Sequence, residues 1–176
     1  MKRSSKSFEI ALSAISAAVA AGFLMLGTVS QFLLAAGYLV AAFAIMVPLS
    51  KNFVWGAVLC YLAAGLIALP LGLWKIIPYA VFFGIHPVAK YLQRKFVKKW
   101  PFIALCEVVK AVWFDFAMWL SYFVLTRMSG IAFADYIEQY LTIVLVIGGT
   151  MFFILYDIMA FACQKSVDTA IKRIRR

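Results

Sequence analysis

Lys75–Pro101, KIIPYAVFFGIHPVAKYLQRKFVKKWP, turns from lipid-like to strongly cationic within one stretch. From Ile76 to Ala89 it carries no formal charge when His86 is neutral, and Lys90, Arg94, Lys95, Lys98 and Lys99 then follow. An apolar run ending in such a collar predicts a transmembrane helix emerging on the cytoplasmic side, where Lys and Arg are retained. That reading orients the rest of the chain.

The whole composition agrees with it. The chain has 176 residues, is 66% hydrophobic and carries a net charge of +10, with mean hydropathy +0.98. A soluble domain is about 45–50% apolar, so this chain lacks the polar surface to cover a water-soluble globule. The expected fold class is all-α, an integral membrane bundle, because helices satisfy their own backbone groups in lipid. A basic balance is also the footprint of nucleic-acid binders. Here the basic residues flank apolar segments and no nucleic-acid motif accompanies them, so no nucleic-acid partner is expected.

Cys60, Cys106 and Cys163 are odd in number and fall within or at the ends of apolar runs, which predicts free thiols. A single histidine and no CxxC pair argue against a metal site, and no cofactor is expected. The N-terminal MKRSSKS precedes an apolar run from Phe8 to Val29. That run exceeds the about 7–15 residues of a signal-peptide core, so it reads as a retained span.

A spanning helix needs about 20 mainly apolar residues, and six are predicted in one domain covering 1–176. They are 8–28, 31–48, 53–73 (interrupted by Pro70 and Gly72), 75–96, 101–126 and 138–163. The basic tail 164–176 reads as a short amphipathic helix on the membrane surface. With the N-terminus inside, only Lys75 and Arg127 of the 17 Lys and Arg residues fall on the outer side, and Lys110 lies within a span. This bias predicts an even number of spans and cytoplasmic termini.

Three groups of residues stand out. The first helix has small residues at four-residue spacing, Ala14, Ala18, Gly22 and Ser13, Ala17, Ala21. Such ladders let a second helix approach closely, either inside the bundle or on a separate membrane partner. Intramembrane charges come next: His86, Lys90, Glu107, Lys110, Asp115 and Asp157. Charged groups in lipid are costly and pair with one another or serve transport. Lys90, Glu107, Lys110 and Asp157 form a neutralising network, or His86, Asp115 and Asp157 form a proton or ion relay. Last, Trp74, Lys75, Tyr79, Phe83, Trp119, Tyr122, Arg127 and Tyr140 cluster toward the predicted outer side. They read as an interfacial aromatic belt or as a substrate pocket, with Lys75 or Arg127 for an anionic group and the rings for stacking.

The chain has no GxxxxGK[ST], GxSxG or HExxH sequence, and its acidic residues do not cluster as a catalytic pair. It is not expected to be an enzyme.

A small, basic, six-helix chain with an Ala-rich first helix resembles the substrate-binding S components of energy-coupling factor (ECF) transporters. FFGIHPVAKYLQRK (82–95) and KAVWFDF (110–116) are similar to phrases of an uncharacterised branch of that family in Gram-positive bacteria. The resemblance implies a bacterial cell-membrane protein that captures a vitamin or similar small molecule from outside. Its partners would be a membrane scaffold subunit, docked on Ser13, Ala14, Ala17, Ala18, Ala21 and Gly22, and two ATPase subunits. The substrate would sit in the outer half of helices four to six. No polar set matching a thiamine, riboflavin, biotin or folate site is present. The alternatives are a non-transporting scaffold of a cell-envelope complex and a stand-alone ion-coupled transporter.

Overall fold

The computed structural model describes residues 2–129 and 135–174, and every regular element among them is helical. The helices are α1 (Lys2–Val29), α2 (Leu34–Leu49), α3 (Val54–Ala68), α4 (His86–Phe96), α5 (Trp100–Ser129) and α6 (Asp135–Ile174). Segments Ser7–Val29, Val54–Leu71 and Val146–Ile171 are long and apolar enough to cross a membrane. Helix α2 is equally apolar but has 16 residues, preceded by a 3-10 turn at Gln31–Leu33. Helix α5 has 30 residues and carries Glu107, Lys110 and Asp115 along its length.

Helix α2 is the centre of the bundle. It is apolar on every side, the signature of a helix surrounded by protein, and it packs on α1, α3, α4 and α6. Tyr38, Ala41, Ala42, Ile45, Met46 and Leu49 are all buried. Its contact with α1 is made without side chains between the backbones. A Cβ on Gly37 would lie 2.7 Å from the Phe23 carbonyl oxygen and 3.3 Å from Gly27 Cα. Small residues at a crossing permit this approach in membrane helices.

Pro48 does not itself stop α2. The chain turns at Asn52, whose φ of 59° places it in the left-handed region that Asn tolerates. The Phe53 N–H then reaches back to the Pro48 carbonyl at 3.2 Å and closes the end of the helix.

The predicted span 75–96 is helical except for a turn at 84–85, and its winding changes along its length. A 3-10 turn covers Leu73–Ile76, a π-helical turn covers Tyr79–Phe83, and α4 starts only at His86. Proline is the cause. Pro87 has no N–H to give the Phe83 carbonyl, and its ring would clash with that carbonyl in a regular α-helix. The turn widens instead, and the Gly84 N–H bonds to Tyr79 O at 2.8 Å. The break after α3 follows Pro70 and Gly72, as the sequence predicts.

The tail 164–176 differs from its expected form. Through Ile174 it is the continuation of α6, not a separate surface helix. No Gly or Pro follows Gly149 within α6, so no helix-breaking residue stands at the expected boundary near Gln164. Its 40 residues reach about 60 Å at 1.5 Å per residue. The segment 130–134 between α5 and α6 lies outside the described residues.

The core gathers where the π-helical turn meets α5 and α6. Phe82 packs edge-on against Phe114 at 4.9 Å and Trp113 at 5.3 Å, and Phe83 against Tyr156 at 5.2 Å. Edge-to-face pairs of this kind add about 0.5–1.5 kcal/mol each beyond their burial.

Candidate functional site

Five of the six charged or titratable residues singled out within the apolar runs converge. His86 and Lys90, four residues apart, share one face of α4. Helix α5 supplies Glu107 and Lys110, and α6 supplies Asp157. Asp157 is the hub. One carboxylate oxygen pairs with Lys90 Nζ. The other lies 3.3 Å from His86 Nε2 and 3.6 Å from Lys110 Nζ, contacts that are not aligned as hydrogen bonds. Lys90 also donates to the Asp157 backbone carbonyl at 3.0 Å. Lys110 pairs with Glu107 at 2.7 Å, and Gln93 donates to the other Glu107 oxygen at 3.0 Å.

Two lysines therefore face two carboxylates. His86 is fully buried, packed between the Phe82 and Tyr156 rings at 4.9 and 5.0 Å. A buried ion is tolerable when paired and costly when alone, and each charge here has its opposite. The cluster locks α4, α5 and α6 together at one level.

Asp115 stands apart. Its Oδ2 accepts from the Thr150 hydroxyl at 3.0 Å, and a Cβ on Gly149 would lie 2.7 Å from its Oδ1. Gly149 thus makes room for the carboxylate between α5 and α6. Among the described residues no ion pair joins Asp115 to the cluster.

The eight residues read as an outer pocket occupy different settings. Tyr79 is fully buried and its hydroxyl donates to Tyr61 O at 3.3 Å. Phe83 is buried and stacks on Tyr38 at 5.5 Å. Lys75 Nζ donates to Thr28 O at 2.8 Å, and its own carbonyl accepts from the Tyr38 hydroxyl. It thereby supplies a partner for a carbonyl at the end of α1. Trp119 lies on the outside of α5, stacked on Phe123 at 5.6 Å, with Arg127 over the same Phe123 ring at 5.5 Å. Trp74 and Tyr140 are exposed and Tyr122 is half-buried. The segment Leu73–Ile76 packs on α5, which keeps Trp74 and Lys75 beside that helix.

The small-residue ladders of α1 separate by face. Ala21 is buried, and Ser13 and Ala17 are half-buried. They face α2 and α3, where a Cβ on Gly56 would collide with Ser13 Oγ. Ala14, Ala18 and Gly22 are exposed, and nothing lies within 4 Å of a Cβ placed on Gly22. Ile15 and Val19, 64% and 42% exposed, flank this open stripe.

One feature was not anticipated from sequence. A cleft of about 390 Å³ opens at the basic end of the bundle, between the α2–α3 turn, α4 and the distal part of α6. Lys90, Arg94 and Lys95 line it with Asn52 and Tyr91. The cationic run on α4 was the available signal, but the opposing wall comes from residues distant in the chain. Lys51 reaches the same end, 5.9 Å above the Phe8 ring of α1. No protein-family model, curated protein or solved structure matches this chain.

Proposed function

We propose that this protein is a multi-pass membrane protein of six spans with cytoplasmic termini, and that it serves as the substrate-binding membrane subunit of an ECF-type importer. The spans are α1, α2 with its preceding turn, α3, the kinked helical run 73–96, α5 and α6. The observation that carries the reading is the open stripe Ala14–Ala18–Gly22 on α1. The bundle already packs α1 through its other face, so the small residues outside are available to a second membrane protein. That partner is the scaffold subunit, with its two ATPases. The ligand is a vitamin or a similar small molecule, taken from the outer side near Trp74, Trp119, Tyr122, Arg127 and Tyr140. Tyr79 and Phe83 back that surface from the core.

The charge cluster favours this reading over a stand-alone ion-coupled transporter. Its carboxylates and lysines compensate one another, and Asp115 is bonded to Thr150 instead of extending a relay. Mild-detergent capture of the tagged protein from its native cells tests the proposal. Co-purification of two related ATPases and a basic membrane protein is expected, with loss of all three in Ala18→Phe. Recovery of envelope-assembly proteins without ATPases supports a scaffold instead, and a protein that purifies alone refutes the importer assignment.

A further inference from the structure

The cleft at the basic end joins a cationic rim to an apolar wall. The charge cluster neutralises Lys90 through Asp157. Arg94, one helical turn beyond Lys90, and Lys95 beside it have no carboxylate partner among the described residues. The one acidic side chain in the lining, Asp168, accepts from Gln164 at 2.9 Å. The rim therefore keeps an excess of positive charge. Arg94 is held in place by stacking, its guanidinium 5.1 Å from the Phe161 ring centre. Asn52 accepts from Tyr91 at 2.5 Å through its carbonyl oxygen, which keeps its NH₂ group as a donor. Below the rim, Leu49 and Phe161 form the wall.

From this geometry we infer that the cleft seats the phosphate of an anionic phospholipid, with Arg94 and Lys95 as its charge partners and an acyl chain along Phe161. The inference needs only the membrane reading and is independent of the importer assignment. A guanidinium matches two phosphate oxygens at once, and an ammonium adds a point charge. Basic pockets between helices at the cytoplasmic surface are suited to anionic headgroups. The apolar wall distinguishes the amphiphile from a soluble phosphate compound, which has nothing to place there.

Titration of the purified full-length protein with phosphatidylglycerol, phosphatidylcholine and glycerol 3-phosphate tests this by native mass spectrometry. Phosphatidylglycerol should bind in preference to phosphatidylcholine. Arg94→Gln/Lys95→Gln should bind it about 30-fold more weakly, since each basic residue near an anionic lipid surface contributes about a factor of five. Lys98→Gln/Lys99→Gln removes the same charge outside the cleft and should retain the preference. Equal loss in the two double variants would mean diffuse attraction and overturn the site. Binding of glycerol 3-phosphate without preference for phosphatidylglycerol would overturn the lipid assignment. Lys95→Gln alone, an exposed change, gives the same test at about fivefold should the double variant fail to fold.

Discussion

Asp157 on α6 lies with Oδ1 3.3 Å from Nε2 of His86 on α4, while its other oxygen pairs with Lys90. One carboxylate thus anchors a fully buried imidazole and a lysine, with Lys110 at 3.6 Å behind them. Its removal leaves Lys90 without a carboxylate partner, while Lys110 keeps Glu107. Asp157→Asn is expected to destabilise the protein by about 3 kcal/mol, as for removing one partner of a buried pair. Asp115→Asn keeps an oxygen acceptor for Thr150 and should cost about 1 kcal/mol. Unfolding in detergent, followed by circular dichroism, measures the difference; equal losses would show that the cluster has no special weight.

The α1–α2 crossing depends on absent side chains. Gly37→Ala places a carbon 2.7 Å from the Phe23 carbonyl oxygen, so the helices must separate. A cost of about 1–3 kcal/mol is expected, typical of overpacking. Gly22→Ala meets open space and should be neutral or slightly stabilising. The same unfolding experiment ranks the two, and a larger loss in Gly22→Ala would reverse the placement of the helix faces.

Exposure on α1 separates folding from assembly. Ala18→Phe points outward and should leave the unfolding midpoint near that of the unaltered protein while abolishing capture of the proposed scaffold and ATPase partners. Ala21→Phe enters a position 4% exposed and should lower the midpoint directly. If Ala18→Phe retains every partner, α1 does not carry the docking face.

Aromatic residues divide in the same way. Phe83 is 4% exposed and touches four rings, so Phe83→Ala should cost about 3–5 kcal/mol through the cavity it leaves. Trp119 is 46% exposed, and Trp119→Ala should change stability by no more than about 0.5 kcal/mol. On the proposed substrate site, Trp119→Ala should weaken ligand binding, measured on the folded protein; unchanged binding would remove Trp119 from that site.

Composition was enough to anticipate a helical chain with segments long and apolar enough to cross a membrane. Apolar runs near 20 residues leave the backbone no other way to satisfy its hydrogen bonds in lipid. Breaks at Pro70, Gly72 and the Pro48–Asn52 turn were readable for the same local reason, since ring constraints and left-handed backbone act on neighbouring residues. The unwinding at Tyr79–Phe83 was less legible, although Pro87 is its cause, because a proline allows either a kink or a widened turn. The extent of α6 was misread: basic residues suggested a boundary at Gln164, but charge does not stop a helix that meets no Gly or Pro beyond Gly149.

Tertiary structure decided which side of each helix matters. Both α1 ladders have the same four-residue spacing, yet Ala21 is enclosed and Ala18 is open. Tyr79 and Phe83 look like Trp119 in composition, but two are core and one is surface. The charges were visible as a set of six, and only packing placed Asp157 among His86, Lys90 and Lys110 while leaving Asp115 with Thr150. The basic cleft likewise needed α2, α4 and α6 to meet. Spacing along a chain determines which residues share a helix face; neighbours from other helices determine whether that face meets protein, lipid or an opposite charge.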